Sequence, residues 1–392
     1  MKAPSVIALF ALSSLNGFVS ASFPDQQHLS PITPDAHKYN RTKSLLSLHK
    51  DLINIESISG NEHHVGEFLA HYLKKHHFHV TIQKVPALKS NPKKASRFNV
   101  LAYRGDSPKS RVLVTSHIDT VPPYIPYELR PGNVIWGRGS NDAKGCVASQ
   151  ITAVQDLLRQ RKLEDNDVAL LFVVGEEVFG DGMRAVNDLD LAWEAAIFGE
   201  PTELKLAAGH KGILGFTITA HGKAGHSGYP ELAESANSML LPALVALDRT
   251  EFGHSEKYGN TTLNIGRMEG GAAANVVAEK ATANVAMRLA TGTAGEAQDM
   301  VRSVVEMIDR RLELEFSAGY GPVACDTDVE GFDTITVNYG TDVPNLNGEH
   351  KRYLYGPGSI LVAHSDHEHV AVADLEEAVE GYQKLILAAL DK

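Results

Sequence analysis

Cysteine, positive charge and long apolar runs are all scarce in this sequence. Of its 392 residues, 37 are Lys or Arg and 48 are Asp or Glu, which gives a formal net charge of −11. This balance disfavours a nucleic acid or an anionic membrane as the partner. Beyond the N-terminal segment there is no run of about 18 apolar residues that could span a bilayer. The chain is long enough for two globular domains of ordinary size.

The N-terminus has the pattern of a secretory signal peptide. Lys2 gives a positive start, the following segment is mostly apolar, and small residues precede a cleavage site after Ala21. We therefore expect residues 1–21 to be removed and the protein to be secreted and extracellular. Two N-glycosylation sequons, at Asn40 and Asn260, agree with that expectation.

The two cysteines leave two interpretations open. Cys146 and Cys325 are either packed thiols or, as secretion permits, the two halves of a disulfide. A disulfide requires Cα atoms within about 7 Å of each other, and the sequence alone does not give that distance.

Alternating helix and strand patterns predict an α/β fold for most of the chain. Between residues 42 and 206, helical segments alternate with short apolar runs, among them 111–116, 168–174 and 195–198. Such runs are typical of strands buried on both faces of a sheet, and the alternation is typical of α/β domains.

Five side chains of metal-binding type lie in five separate segments, most of them beside an apolar run. The carboxyl ends of strands in an open α/β sheet form one crevice, so we expect these side chains to converge. Two imidazoles and three carboxylates suffice for two divalent ions that share a carboxylate. Glu176, next to a ligand, is free to move protons, which points to metal-assisted hydrolysis. The five predicted ligands are His117, Asp142, Glu177, Glu200 and His364.

The pattern changes near Gly209. A strand–helix–strand–strand–helix order follows, with the last helix predicted over 295–313, and this is most of a ferredoxin-like unit. The chain must then return to the first domain, because His364 has to join the other ligands. We therefore predict an inserted α+β domain at 209–318 and a mixed-sheet, metal-binding domain built from 22–208 and 319–392.

Several motifs, taken together, resemble the M20 family of metallopeptidases. That family includes acetylornithine deacetylase, succinyl-diaminopimelate desuccinylase, aminoacylases and dizinc carboxypeptidases. The similarity covers nearly the whole chain after residue 21 and keeps the order and spacing of the motifs. They are Ser116-His-Ile-Asp-Thr-Val-Pro-Pro, Gly137-Arg-Gly-Ser-Asn-Asp-Ala-Lys-Gly, Gly175-Glu-Glu, Gly199-Glu-Pro-Thr, Gly222-Lys-Ala-Gly-His-Ser-Gly-Tyr-Pro, Gly270-Gly-Ala-Ala-Ala-Asn-Val-Val and Ala363-His364.

The resemblance implies two zinc ions per chain, for which cobalt could substitute. His117, Asp142 and Glu200 would hold one ion, and Asp142 would be shared with the other, held also by Glu177 and His364. The resemblance further implies a mixed-sheet catalytic domain and an inserted ferredoxin-like lid that is compatible with a homodimer.

Further roles follow from the same resemblance. Asp119 would orient the imidazole of His117, and Glu176 would be the general base. The peptide bond between Asp142 and Ala143 is expected to be cis. Ala143 itself departs from the family pattern, in which another acidic or bulkier residue is common, and so does His367 before Glu368.

The inserted domain is expected to contribute to substrate binding. The resemblance implies that Arg288 and Asn275 hold the terminal carboxylate of the substrate, with help from the backbone at Gly358 and Ser359. His226 would reach the oxyanion, across a dimer formed through the lid. His210 is interpreted as structural.

The leading hypothesis is a secreted zinc carboxypeptidase that hydrolyses a peptide bond next to a free C-terminal carboxylate. The alternative is an N-acyl amino acid deacylase. It would use the same site, and it would differ only in the part of the pocket that binds the acyl side of the scissile bond. A third alternative is an inactive, metal-stabilised binding module, against which the complete ligand set and Glu176 argue.

Overall fold

The computed structural model describes residues 34–88, 96–178 and 180–392, with side chains from residue 38 onward. The predicted signal peptide lies outside the described residues. The chain divides into residues 1–39, of which only the start of the first helix is described, and residues 40–392. The helices are α1 (Pro34–Ile53), α2 (His63–Lys75), α3 (Lys144–Arg159), α4 (Asp181–Val186), α5 (Ala236–Asp248), α6 (Ala294–Ile308) and α7 (Val372–Ala389).

The strands follow the order expected from the apolar runs. They are β1 (His79–Val85), β2 (Arg97–Tyr103), β3 (Val112–His117), β4 (Glu128–Arg130), β5 (Val134–Trp136), β6 (Val168–Val173), β7 (Ala195–Gly199), β8 (Leu206–His210), β9 (Gly212–His221), β10 (His254–Ser255), β11 (Gly259–Asn260), β12 (Thr262–Gly270), β13 (Lys280–Leu289), β14 (Glu313–Phe316), β15 (Val323–Ala324), β16 (Thr334–Val337), β17 (Lys351–Tyr355) and β18 (His369–Ala371).

The main sheet is mixed, as predicted. Its order is β1-β2-β6-β3-β7-β17. Strands β6, β3, β7 and β17 pair in parallel, while β2 is antiparallel to both of its neighbours, β1 and β6. All residues of β3, β6 and β7 are buried, which explains why their sequences show no polar alternation. Helices α2, α3 and α7 pack on the sheet through one continuous apolar core.

The inserted region has its own sheet and its own core. Strands β9, β12, β13 and β14 pair antiparallel in the order β12-β13-β9-β14, which is the strand order of a ferredoxin-like unit. Helices α5 and α6 bury their apolar sides against this sheet in a separate cluster. β8 ends at His210, next to the predicted start of the insertion. The boundaries at 209 and 318 stay a prediction.

One predicted helix is too long. The segment 295–313 was expected to be a single helix, whereas α6 ends at Ile308 and β14 begins at Glu313. The carboxylate of Asp309 accepts a hydrogen bond from the backbone N–H of Arg311 at 3.0 Å, which closes a turn. The following Leu-Glu-Leu-Glu-Phe alternation then forms the fourth strand of the inserted sheet.

Among the helices in the described part of the chain, none is long and apolar enough to cross a bilayer. The two cysteines are unpaired thiols: Cys146 is buried in α3 and Cys325 is partly buried. Both sequon asparagines are exposed, Asn40 in α1 and Asn260 in β11.

Candidate active site

Three parallel strands end at one edge of the main sheet and carry predicted ligands there. β3 ends at His117, Glu200 directly follows β7, and the turn after β6 carries Glu176 and Glu177. The parallel pairing of β3 with both β6 and β7 places these strand ends side by side. The crevice expected from the apolar runs is therefore present in the structure.

A first cluster of donor atoms surrounds His117. Its Nε2 lies 3.0 Å from Oδ1 of Asp142 and 3.9 Å from Oε1 of Glu200. The three donor atoms lie within 4.8 Å of one another. All three side chains are buried, so this cluster is shielded from bulk water.

A second cluster uses the other oxygen of the same aspartate. Nε2 of His364 lies 3.3 Å from Oδ2 of Asp142 and 2.9 Å from Oε2 of Glu177. These donors also lie within 4.8 Å of one another. Asp142 thus presents one carboxylate oxygen to each cluster, which is the arrangement of a ligand shared by two ions.

The charges of the two clusters fit divalent cations. Burial, together with the charge of Asp142, raises the pKa of Glu177 from 4.5 to about 7. Burial also raises the pKa of Glu200 well above its usual value, and Oε1 of Glu177 is buried without a hydrogen-bond partner in the described residues. Crowded buried carboxylates of this kind are costly unless a cation offsets their charge. Imidazole and carboxylate donors suit zinc.

The position of Asp119 differs in detail from the prediction. Nδ1 of His117 donates to the backbone carbonyl of Asp119 at 3.0 Å, whereas the Asp119 carboxylate is 3.6 Å away. Since Nδ1 carries the proton, Nε2 is left to bind a metal. The buried carboxylate accepts the backbone N–H groups of Glu176 and Glu177 at 3.1 and 3.2 Å instead. Asp119 therefore positions the turn after β6 as well as the imidazole.

The turn that carries Glu176 and Glu177 depends on a glycine. Gly175 has a φ of +77°, and a Cβ there would lie 2.1 Å from Oδ1 of Asp181 and 2.2 Å from Nη2 of Arg97. Neither the backbone angle nor the space admits a side chain. The glycine of the Gly-Glu-Glu sequence is thus required by the local geometry.

Glu176 itself is placed to exchange a proton. Its side chain lines the cavity beside the two clusters, and the carboxylate makes no hydrogen bond within the described residues. Burial, reinforced by the nearby charge of Glu200, raises its pKa well above the usual value. A carboxyl group in such surroundings can accept and release a proton near neutral pH.

The cavity extends from the ligand clusters to the inserted domain. It has a volume of about 500 Å³ and is lined on one side by Asp142, Glu176 and His364 and on the other by Arg288. Arg288 lies on β13 and is half-buried, and within the described residues its guanidinium makes no hydrogen bond or ion pair. An unpaired guanidinium thus faces the same cavity as the predicted metal ligands.

Other predicted binding residues lie elsewhere in this single chain. His226 and Asn275 are exposed, and they are neighbours, because Ser227 donates to the Asn275 carbonyl at 3.0 Å. They do not line the cavity within the described residues. The same is true of Gly358 and Ser359, although the next residue, Ile360, does line it.

His210 is buried, and its Nε2 lies 3.1 Å from Oγ1 of Thr341, as a structural histidine would. The peptide bond between Asp142 and Ala143 is cis, as the resemblance implies. Asp142 does not cap the following helix, because the N-cap position of α3 is Ala143.

Sequence reasoning missed several residues at the site. Arg184 and Tyr320 line the cavity, and Asp342 lies behind the first cluster with one buried oxygen unpaired in the described residues. None of them follows an apolar run or a recognised motif, so no local signal marks them. Glu368 was noted only as part of a motif.

Comparisons with known proteins agree with this geometry. The peptidase dimerisation domain of the M20 family matches residues 208–313, and peptidase family M28 matches residues 99–197. A probable carboxypeptidase of Aspergillus oryzae is 52% identical over 381 residues, covering 88% of each chain. An M20-domain protein of Sordaria macrospora is 48% identical over 393 residues, covering 91% of this chain and 86% of that one.

The fold also matches solved structures at low identity. An M20 family metallo-carboxypeptidase from Sulfolobus solfataricus superposes with a TM-score of 0.70 at 16% identity, over 89% of this chain and 99% of that one. A tripeptidase from Staphylococcus aureus gives a TM-score of 0.73 at 18% identity, over 90% and 99%. With the high identity to the fungal relatives, these findings show that the chain belongs to the M20 family and is a metallo-exopeptidase.

Proposed function

We propose that the protein is a carboxypeptidase that removes the C-terminal residue of peptides with the aid of two zinc ions. His117, Asp142 and Glu200 would hold one ion, and Asp142, Glu177 and His364 the other; the shared use of both Asp142 oxygens carries this assignment. Bound divalent ions act as Lewis acids that make water nucleophilic near neutral pH and polarise a carbonyl group.

Within this proposal Glu176 is the general base. Its carboxylate lines the cavity and has no competing hydrogen bond in the described residues, so it is available to take the proton of the attacking water. The raised pKa allows the same group to return that proton to the leaving amine. The proton thus moves from water to Oε of Glu176 and then to the nitrogen of the broken peptide bond.

Arg288 supports specificity for a free C-terminus. It is the guanidinium that reaches the cavity from the inserted domain, and it lacks a protein carboxylate within the described residues. An unpaired, half-buried guanidinium is costly, and a substrate carboxylate would satisfy it with bidentate hydrogen bonds. The substrate would then lie with its terminal carboxylate at Arg288 and its scissile carbonyl near the metal ligands.

The remaining lid residues are proposed to act in a homodimer. His226 and Asn275 are exposed in one chain, so they would enter a site only if another copy, or a closing motion of the lid, brought them there. The match to the M20 dimerisation domain supports the first route. The backbone at Gly358 and Ser359 is close in sequence to the cavity-lining Ile360 and would assist the clamp.

Secretion is part of the proposal and rests on the N-terminal sequence pattern. The exposed positions of Asn40 and Asn260 are compatible with glycosylation of a secreted protein. Treatment with a glycosidase that removes N-linked sugars, followed by mass measurement of protein from the culture medium, tests both statements. An unglycosylated protein that stays in the cells contradicts them.

Kinetics with paired substrates test the carboxylate clamp. Blocked dipeptides with a free C-terminal acid should be hydrolysed efficiently, and their C-terminal amides poorly. Arg288→Lys should lower kcat/KM for the acids about 10- to 100-fold, since one bidentate charge-assisted contact contributes about 1.5–3 kcal/mol.

Arg302→Lys, an exposed position on α6, serves as the matched control and should leave kcat/KM unchanged. Equal hydrolysis of acids and amides by the wild type would overturn the carboxypeptidase assignment. A clear preference for acetylated amino acids over blocked dipeptides would favour the deacylase alternative instead.

A further inference from the structure

Glu368 is a buried carboxylate that holds the backbone around the shared ligand. Its side chain is completely buried, and Oε1 accepts the backbone N–H groups of Gly139, Asn141 and Asp142 at 2.9, 3.2 and 3.1 Å. Oε2 accepts a hydrogen bond from the guanidinium of Arg138. One side chain thus accepts hydrogen bonds from three backbone N–H groups of the loop and from one buried cation.

These contacts matter because one of them holds the backbone of the shared ligand itself. Asp142 stands before the first turn of α3, whose N-cap residue is Ala143. Within the loop, the N–H of Ser140 donates to the Gly137 carbonyl at 3.1 Å and the N–H of Lys144 to the Gly139 carbonyl at 3.0 Å. The N–H of Asp142 instead donates to the Glu368 carboxylate, from a segment 226 residues further along the chain. The orientation of the Asp142 side chain therefore depends on a distant residue.

Glu368 also belongs to the segment that carries His364. Its backbone carbonyl accepts the N–H of Gly137 at 3.2 Å, which extends the pairing of β18 with β5. The Asp142 loop and the His364 segment are therefore tied together at both the backbone and the side chain of Glu368. These two segments contribute two of the three residues of the second cluster.

We propose that Glu368 is a positioning residue that sets the affinity of the second metal position by fixing Asp142 and the His364 segment relative to each other. This inference rests on the proposed two-ion site. The first cluster depends less on Glu368, because two of its three residues, His117 and Glu200, lie at the ends of buried strands. Removing the Glu368 contacts should thus weaken the binding of the second ion far more than that of the first.

The chemistry of glutamine gives a specific way to test this. In Glu368→Gln the amide has a single oxygen, and both Arg138 and the three N–H groups require an acceptor. If the amide oxygen faces Arg138, the NH2 group points at the three backbone N–H groups of the loop, which then lose their acceptor. In the double variant Arg138→Met with Glu368→Gln, the oxygen is free to face the loop, so the double variant should recover part of what the single variant lost.

The experiment is a zinc titration of metal-free protein in competition with a chromogenic chelator, which gives two dissociation constants without an activity assay. For Glu368→Gln we expect the dissociation constant of the second position to rise about 10- to 100-fold, the usual effect of a residue that supports a ligand. Glu177→Gln, which removes a donor of the second cluster alone, identifies the constant that belongs to this position. The dissociation constant of the first position should change by less than about three-fold, and the double variant should lie closer to the wild type.

The matched control is Asp156→Asn, which alters a buried carboxylate near the other end of α3. Asp156 accepts hydrogen bonds from Arg159 and Gln383 at 2.9 and 2.8 Å, far from the two clusters in sequence. The melting temperature of the Asp156→Asn variant should fall, while both of its zinc affinities should stay at wild-type values. A similar loss of zinc affinity in this control would mean that general destabilisation, and not positioning, accounts for the effect, and would overturn the proposal.

The wild-type titration distinguishes failure of the Glu368 role from failure of the two-ion site. A wild type that binds two ions, with unchanged affinities in Glu368→Gln, overturns the role of Glu368 alone. A wild type that binds only one ion overturns the two-ion site and with it the positioning role. A double variant weaker than the single variant would also contradict the proposed contact geometry.

Discussion

Replacing Glu176 by Gln isolates the proton-transfer step from metal binding. The two side chains have nearly the same shape, and the Glu176 carboxylate makes no hydrogen bond within the described residues, so the change breaks no internal contact. It removes one member of a group of buried, mutually repelling carboxylates, among them Glu200. The metal-free variant should therefore be at least as stable as the wild type.

The expected loss is in turnover. General acid–base catalysis by a positioned side chain contributes about 10²- to 10⁴-fold, which corresponds to about 3–5 kcal/mol of transition-state free energy. Because Glu176 is not among the donor atoms of either cluster, KM and zinc content should change little. The effect should therefore fall almost wholly on kcat.

The assay is hydrolysis of a blocked dipeptide, combined with elemental analysis of the same samples. Glu177→Gln is the matched control. It makes the same carboxylate-to-amide change at the neighbouring residue, but there the change removes a donor of the second cluster. That control should lose zinc. If instead Glu176→Gln loses zinc and keeps its turnover, the roles of the two adjacent glutamates are reversed and the reasoning is refuted.

Two further predictions concern stability. Burial and the charge of Asp142 raise the pKa of Glu177 from 4.5 to about 7, so its contribution to the stability of the metal-free protein is fully present below pH 4.5 and is lost as the pH rises through 7. The melting temperature of chelator-treated protein should fall over this window, and that of zinc-loaded protein should fall less; parallel curves would argue against a metal at this position. Gly175→Ala should lower the free energy of unfolding in urea by at least about 1–3 kcal/mol, because Gly175 has a positive φ and an added Cβ would meet Asp181. Gly259→Ala is the control and should cost less, because Gly259 has a φ of +68° but open space around it. Equal urea midpoints for the two variants would contradict this prediction.

The convergence of the candidate metal ligands could be predicted from the sequence because their positions follow from strand geometry. His117 and Glu200 come where buried apolar runs end, and the ends of parallel strands meet at one edge of a sheet. The mixed α/β fold and the inserted unit are likewise visible in the change of hydrophobic period. These predictions use only short-range patterns, which the sequence records directly.

Contacts between distant segments left no such record. The hydrogen bonds of Glu368 to the loop around Asp142 span more than two hundred residues, and no periodicity marks them. The end of α6 was misjudged because a turn at Asp309 interrupts a sequence whose helical propensity continues. His226 and Asn275 are exposed in the single chain, and their part in substrate binding stays a prediction.

The most direct test of the two-ion site is anomalous X-ray scattering from a crystal of zinc-loaded protein, recorded at the zinc edge. We expect two peaks about 3.5–4 Å apart, one on each side of the Asp142 carboxylate. His117 and Glu200 should coordinate one ion, and Glu177 and His364 the other. A single peak, or two peaks that do not share Asp142, would contradict the central claim that one carboxylate is shared by two ions.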